Sequence, residues 1–266
     1  MSASRTDIRR VTIVLGGGET DAQALTMLSS VLAELGSEVT GLFLEDAELF
    51  QLAELPWAQE ICRLTSRARP LRTTELQRQV RVQAGRAERA VQLSAERAGL
   101  KWSFRTMRGR LNVALQASQD VELLLLSAAK RMMGAAAEAQ TLSRARAFPG
   151  QVRARPIVTV FDGSAAAERA LRTAARLASS TQRQLLVLGP AQPPEGLVDL
   201  VARVGELIEN GFSVLPLPSA EIDVLARSLR ARSAALCVLP ADQALLEEGT
   251  LGRLRQLAEC PVLIVR

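Results

Sequence analysis

The chain has 266 residues, 48% of them apolar and 23% charged, with a formal net charge of +5. That length suits two domains of ordinary size, each able to bury its own core, and with no run of about 18 apolar residues no membrane span is expected. Histidine is absent, which removes the commonest general base and metal ligand and excludes a Ser–His–Asp triad, a Cys–His dyad and a His-based zinc site.

The N-terminal residues Met-Ser-Ala-Ser-Arg-Thr-Asp carry no apolar signal-peptide core, so a cytoplasmic location is expected. Cys62, Cys237 and Cys260 are odd in number and lack paired spacing. They read as reduced core residues, with no disulfide framework and no metal site. In the first half, strands are expected near 11–15, 38–44, 102–106 and 121–126, and helices near 20–35, 110–118 and 131–146. The first strand ends in the triplet Gly16-Gly17-Gly18. Such a triplet can cradle a phosphate at a helix start, with Lys130 and Arg131 supplying charge, or can simply make a tight turn capped by Thr20 or Asp21.

Between the second and third strands lies an enlarged region, about 45–99. It holds the run Glu48-Leu49-Phe50-Gln51-Leu52-Ala53-Glu54-Leu55, stopped at Pro56, and a long helical pattern from about 74 to 98. Leu76, Val80, Ala84, Ala87, Val91, Ala95 and Ala98 recur at three- and four-residue steps and form one apolar stripe. Residues 61–89 contain eight arginines against Glu75 and Glu88, a local charge of +6. This is read as a solvated helix face, with a docking face for a protein partner as the alternative. Nucleic acid is not expected, because no aromatic residue interleaves the arginines. Leu49, Phe50, Leu52, Leu55 and Trp57 are read as packing the insertion onto its own sheet, and otherwise as an exposed partner-binding patch.

A short basic linker over 148–156 joins a first domain, 1–150, to a second, 151–266. In the second, strands are expected at 157–161, 184–188, 212–216, 234–239 and 261–265, with helices near 165–180, 197–210, 219–231 and 244–259. Apolar rather than alternating strands, interleaved with helices, imply parallel sheets covered on both faces. The halves repeat one another. Val11-Thr12-Ile13-Val14-Leu15 before its glycines matches Ile157-Val158-Thr159-Val160-Phe161 before Asp162-Gly163-Ser164, and Ala24-Leu25 matches Ala170-Leu171. The first half has no counterpart of the strand at 261–265. Either its sheet is one strand short or the strand at 157–161 bridges the two sheets.

The run from Ile157 to Ser164, the following Glu168-Arg169-Ala170-Leu171 and the closing Cys260-Pro261-Val262-Leu263-Ile264-Val265 resemble the universal stress protein family. The chain looks like a tandem pair of such domains. The resemblance implies two tandem Rossmann-like α/β domains of the adenine nucleotide alpha hydrolase type, with parallel sheets flanked by helices, and pairing through the last strand. Some members bind ATP. In those, an aspartate after the first strand meets the adenine side, and a Gly-x-x-Gly, nine residues, then Gly-Ser/Thr loop after the fourth strand holds ribose and phosphates. Asp162 matches the aspartate, and Gly249-Thr250 matches the end of that loop. Residues 240–248 lack Gly-x-x-Gly and place Asp242, Glu247 and Glu248 where phosphates would lie. Gly16 stands in the aspartate's place in the first half. The candidate binding residues are therefore Asp162, Gly163, Ser164, Gly249, Thr250, Gly16, Gly17 and Gly18, for ATP or AMP if any ligand is held. The alternative for Asp162-Gly163-Ser164 is a plain turn and helix cap.

The expectation is a non-enzymatic, stress-related regulatory or adaptor protein with degenerate nucleotide sites, acting through self-association or a partner. The alternative is an ATP or AMP sensor using the second domain. No Gly-x-x-x-x-Gly-Lys-Ser/Thr motif and no catalytic base stand out, so catalysis is not expected. A homodimer is expected, formed through an open sheet edge at 261–265.

Overall fold

The computed structural model describes residues 10–16, 38–61, 66–111, 122–126, 155–190, 211–219, 221–241 and 249–266. The helices expected at 20–35, 131–146 and 197–210, and most of that at 110–118, lie outside the described residues. The chain divides into two compact units, Met1–Leu124 and Leu125–Arg266.

The strands in chain order are β1 (Arg10–Leu15), β2 (Glu38–Asp46), β3 (Gln59–Ile61), β4 (Ala68–Pro70), β5 (Trp102–Gly109) and β6 (Leu123–Leu126), then β7 (Ile157–Val160), β8 (Leu185–Gly189), β9 (Phe212–Pro216), β10 (Leu236–Pro240) and β11 (Val262–Val265). In the first unit the order is β5-β2-β1-β6. β1 and β2 are parallel, with Val11 opposite Val39 and Leu15 opposite Phe43. β2 and β5 are parallel from Val39 opposite Trp102 to Asp46 opposite Gly109. β1 buries all but its first residue, as a central parallel strand with both faces covered must.

Helix α1 (Ala47–Ala53) starts where the Asp46 carboxylate accepts hydrogen bonds from the N–H groups of Glu48 at 2.9 Å and Leu49 at 3.4 Å. After a turn come the antiparallel pair β3–β4 and the long helix α2 (Thr73–Arg97). The stripe falls where its spacing put it. Leu76, Val80, Ala87, Val91 and Ala95 are buried, and Ala84 and Ala98 are half-buried. α2 rides close on the sheet over Gly41. A Cβ there would lie 2.6 Å from Phe104 Cδ2 and 3.0 Å from Val91 Cγ2, so glycine is what permits the approach.

The second unit has the order β11-β10-β7-β8-β9, every adjacent pair parallel. β7 pairs with β10 on one side and β8 on the other, so it lies inside the second sheet and is not a bridge. The linker end is fixed to this sheet. The Arg155 guanidinium donates to the carbonyls of Ser233 at 2.9 Å and Ala234 at 2.8 Å. Helix α3 (Ala165–Ser180) presents Ala167, Ala170, Leu171, Ala174, Ala175, Leu177 and Ala178 to the sheet, and these small residues let it pack closely. Helices α4 (Ile222–Ala231) and α5 (Thr250–Leu257) pack together. The right-handed crossover rule puts them on the face opposite α3, because β7→β8 runs one way and β10→β11 the other. Both units are α/β with parallel strands, as expected.

The expectation of an open edge at 261–265 is not met. Val262, Leu263, Ile264 and Val265 are at most 4% exposed. Exposure this low counts backbone as well as side chain, so the strand offers no bare flank for dimer formation.

Candidate functional site

In the second unit the expected binding residues converge. β7 and β10 are neighbours running the same way, so the segments that follow them leave at the same carboxyl edge. There the strand order reverses, with β7 leading one way to β8 and β10 the other way to β11. Open α/β sheets place ligands in the crevice at such a point. Asp162, Gly163 and Ser164 follow β7 and are exposed. Gly249 and Thr250 open α5 behind β10. Residues 242–248, including Asp242, Glu247 and Glu248, lie outside the described residues.

Local bonding decides what the first turn has available. The Ser164 N–H donates to Asp162 Oδ1 at 2.8 Å, and the Ala167 N–H donates to Ser164 Oγ at 3.1 Å. The carboxylate thus closes an Asx turn and the hydroxyl caps α3. Gly163 has φ 92° and supplies the left-handed step between them. Gly249 also has φ 92°, with ψ −30°, and α5 has no side-chain cap. A Cβ on Gly249 would meet nothing within 4 Å, so glycine answers a backbone requirement there, not a steric one.

Nearby cations are committed elsewhere. Arg172 pairs with Glu168 at 2.5 Å. Arg169 Nε donates to the Arg266 carbonyl at 3.1 Å. Arg253 makes two bonds to the Asp223 carboxylate, at 2.8 and 3.0 Å. Glu168 in the first turn of α3 complements the positive helix end and repels an incoming anion. The edge therefore has two helix starts and an exposed aspartate that accepts one N–H from its own turn, with three of its arginines turned to carboxylates or a carbonyl.

In the first unit Gly16 follows β1 and is exposed, while Gly17, Gly18, Lys130 and Arg131 lie outside the described residues. Among the described residues no three His, Cys, Asp or Glu side chains gather as a metal site, and no helix is long and apolar enough to cross a membrane. Cys237 and Cys260 are buried and free. Burial pushes both thiols up, with each other's or neighbouring charges secondary, and Cys260 reaches about 12 from an ordinary 9.0. Neither is a nucleophile at neutral pH. Cys62 lies outside the described residues.

The insertion departs from its first reading. Phe50 is buried, with the Arg108 guanidinium 3.9 Å from its ring centroid. Leu49, Leu52, Leu55 and Trp57 stay exposed, Trp57 by 70%. Of the five residues read as packing the insertion onto its sheet, only Phe50 does so. Ile61, 68% exposed on the unforeseen β3–β4 pair, adds to the set. The signal for the pair was faint, since two three-residue strands show no alternation to read.

Comparison with known proteins places the fold. No protein-family model matches the chain, and no curated protein matches it. Among solved structures, a universal stress protein from Archaeoglobus fulgidus DSM 4304 is 13% identical with a TM-score of 0.52, over 98% of this chain and 97% of that one. A protein of the universal stress protein family from Burkholderia pseudomallei is 23% identical with a TM-score of 0.32, over 43% and 98%. A universal stress protein in complex with cAMP is 18% identical with a TM-score of 0.34, over 42% and 96%. The first of these shows that the chain has the universal stress protein fold along nearly its whole length.

Proposed function

We propose that this chain, built on the universal stress protein fold, is a non-enzymatic, stress-related regulatory protein. In this reading it acts in the cytoplasm through contacts with itself or another protein, and its nucleotide sites have degenerated. The observation that carries the reading is the bonding at the second unit's carboxyl edge. Asp162 and Ser164 close their own turn and cap their own helix. Arg169, Arg172 and Arg253 are held by other partners. Close backbone approach to a phosphate needs glycines and free N–H groups, yet the segment before Gly249 brings Asp242, Glu247 and Glu248. Without histidine, and with the described thiols held protonated by burial, the commonest general base and the described thiol nucleophiles are lost to catalysis there.

One observation favours a second reading, an ATP or AMP sensor in the second unit. Two helix starts, each with a glycine at φ 92°, open at one switch point, and helix N-termini attract anions. Turnover and binding separate these readings from an enzyme. The proposal expects no phosphate or pyrophosphate release from ATP above the buffer rate at high protein concentration. Release that scales with protein and disappears in Asp162→Ala would overturn it.

A further inference from the structure

We infer that the solvent face of α2 is a docking surface for an acidic amphipathic helix of another protein. The inference rests on the reading of a contact-making protein and names the chemistry of its partner. α2 buries Leu76, Val80, Ala87, Val91 and Ala95. At about 100° per residue, Arg78, Val82, Arg89 and Leu93 run down the opposite side, with Arg81 on one flank and Arg86 on the other. All six are exposed, Val82 by 51% and Leu93 by 52%. From Arg78 to Leu93 the strip runs for about four turns.

Three features of this strip have no use inside the chain. The first is its charge. Arg78, Arg81, Arg86 and Arg89 make no ion pair or side-chain hydrogen bond among the described residues. Arg78 with Arg81, and Arg86 with Arg89, stand three apart, a spacing at which like charges destabilise a helix. The carboxylates of α2 do not relieve them. Glu75 pairs with Arg69 at 3.2 Å, Glu96 accepts from Gln92 at 2.8 Å, and Glu88 has no arginine three or four positions away. The second feature is Gly85. It lies within the helix, and a Cβ there would meet nothing within 4 Å. Neither a turn nor packing requires glycine, which weakens a helix interior relative to alanine. It stands three residues from Val82 and four from Arg89, in the middle of the strip. The third feature is the exposed pair Val82 and Leu93, set among the cations.

Together these select the occupant. Unpaired arginines on both sides of the strip call for carboxylates. A residue without a side chain between Val82 and Leu93 lets a second helix come close, with small and apolar residues on its inner side. An anionic membrane would gain little from a strip whose apolar content is two aliphatic side chains and a glycine, because insertion needs a broad apolar face. Nucleic acid would leave Val82 and Leu93 unused, and α2 has no aromatic residue for stacking.

Fluorescence anisotropy on the full chain tests this at about 0.15 M salt, where exposed charges act only at short range. The probe is a labelled synthetic helix as long as α2, with leucine and alanine on one side and glutamate on both flanks. The control has the same composition in scrambled order, so it carries the same charge without an apolar side. The helical peptide should bind saturably at micromolar concentration, and the control at least about tenfold more weakly. Arg86→Glu/Arg89→Glu should weaken the helical peptide by at least about tenfold, and the same peptide with lysine for glutamate should bind that variant and not the parent. Gly85→Leu should raise the urea midpoint of the chain, since leucine favours a helix, and still weaken peptide binding. The substituted residues are exposed, so the variants keep the far-UV spectrum of the parent. Equal binding of peptide and control, indifference to either substitution, or tighter binding of phosphatidylglycerol vesicles or duplex DNA overturns the proposal. ATP titration of the same proteins is read separately, so failure of this face and failure of the degenerate-site reading are distinguishable.

Discussion

Two glycines, one before α5 and one within it, should respond to the same substitution with opposite signs. Gly249 precedes the helix at φ 92°, and a Cβ there meets nothing within 4 Å. Gly249→Ala therefore creates no clash, and its whole effect is the cost of holding an L-residue in the left-handed region, about 1–2 kcal/mol. Loss of unfolded-state freedom gives back only part of this, so the net cost is about 1 kcal/mol. Gly252 lies inside the helix, also with open space around a built Cβ. Gly252→Ala should stabilise by about 0.5–1 kcal/mol, the ordinary gain of alanine over glycine in a helix. The variants should differ by about 2 kcal/mol, or several degrees in midpoint on either side of the parent. Urea unfolding followed by far-UV circular dichroism measures both. If Gly249→Ala is neutral or stabilising, the positive φ at the mouth of the site is wrong, and with it the description of α5's start. If both shift the same way, the backbone argument fails.

Two further outcomes are expected. Gly41→Ala should cost about 1–3 kcal/mol in urea unfolding, because its Cβ would lie 2.6 Å from Phe104 and 3.0 Å from Val91; in a Phe104→Ala background the cost should shrink, and equal costs in both backgrounds would contradict the contact. Alkaline pH should weaken the fold through the buried thiols. Unfolded thiols ionise from about 9.0 while folded Cys260 holds its proton to about 12, so this stability is complete below pH 9 and is lost as pH rises toward 12, by about 1.4 kcal/mol per pH unit per thiol. The chain has no tyrosine, which leaves this window unusually clear, and a urea midpoint unchanged between pH 8 and 10.5 would refute the assignment.

Much of the fold was legible because parallel strands buried on both faces must be continuous apolar runs. The strand at 212–216 and the helix at 165–180 fall at their expected bounds, the helix because Ser164 caps it and its alanines set the face. The 74–98 stripe was equally clear, since a 25-residue amphipathic helix repeats its pattern seven times. The β3–β4 pair was not, because three residues carry no period. The last strand differs from its expectation because being final in sequence does not place a strand at a free edge; whether its backbone flank is covered is a property of the assembled chain. The apolar run at 49–57 was misjudged for a related reason. Sequence separates Phe50 and Ala53 from Leu49 and Leu52 on α1 as two faces, but not which of them the sheet takes.

The candidate site shows the same boundary. Asp162-Gly163-Ser164 was visible as a turn that could hold a ligand or cap a helix. Only the distances from Ser164 N–H to Asp162 and from Ala167 N–H to Ser164 put those groups in the capping role. Likewise, nothing in the order of residues pairs Arg253 with Asp223, thirty positions earlier and on another helix.

The central claim is that the second unit's carboxyl edge is closed to nucleotide by its own bonding. Isothermal titration of the full chain with ATP, AMP and cAMP to millimolar concentration, alongside Asp162→Ala, tests it most directly. The account predicts no saturable heat from either protein. Saturable binding by the parent that Asp162→Ala abolishes would contradict it, and would make the second unit a nucleotide sensor.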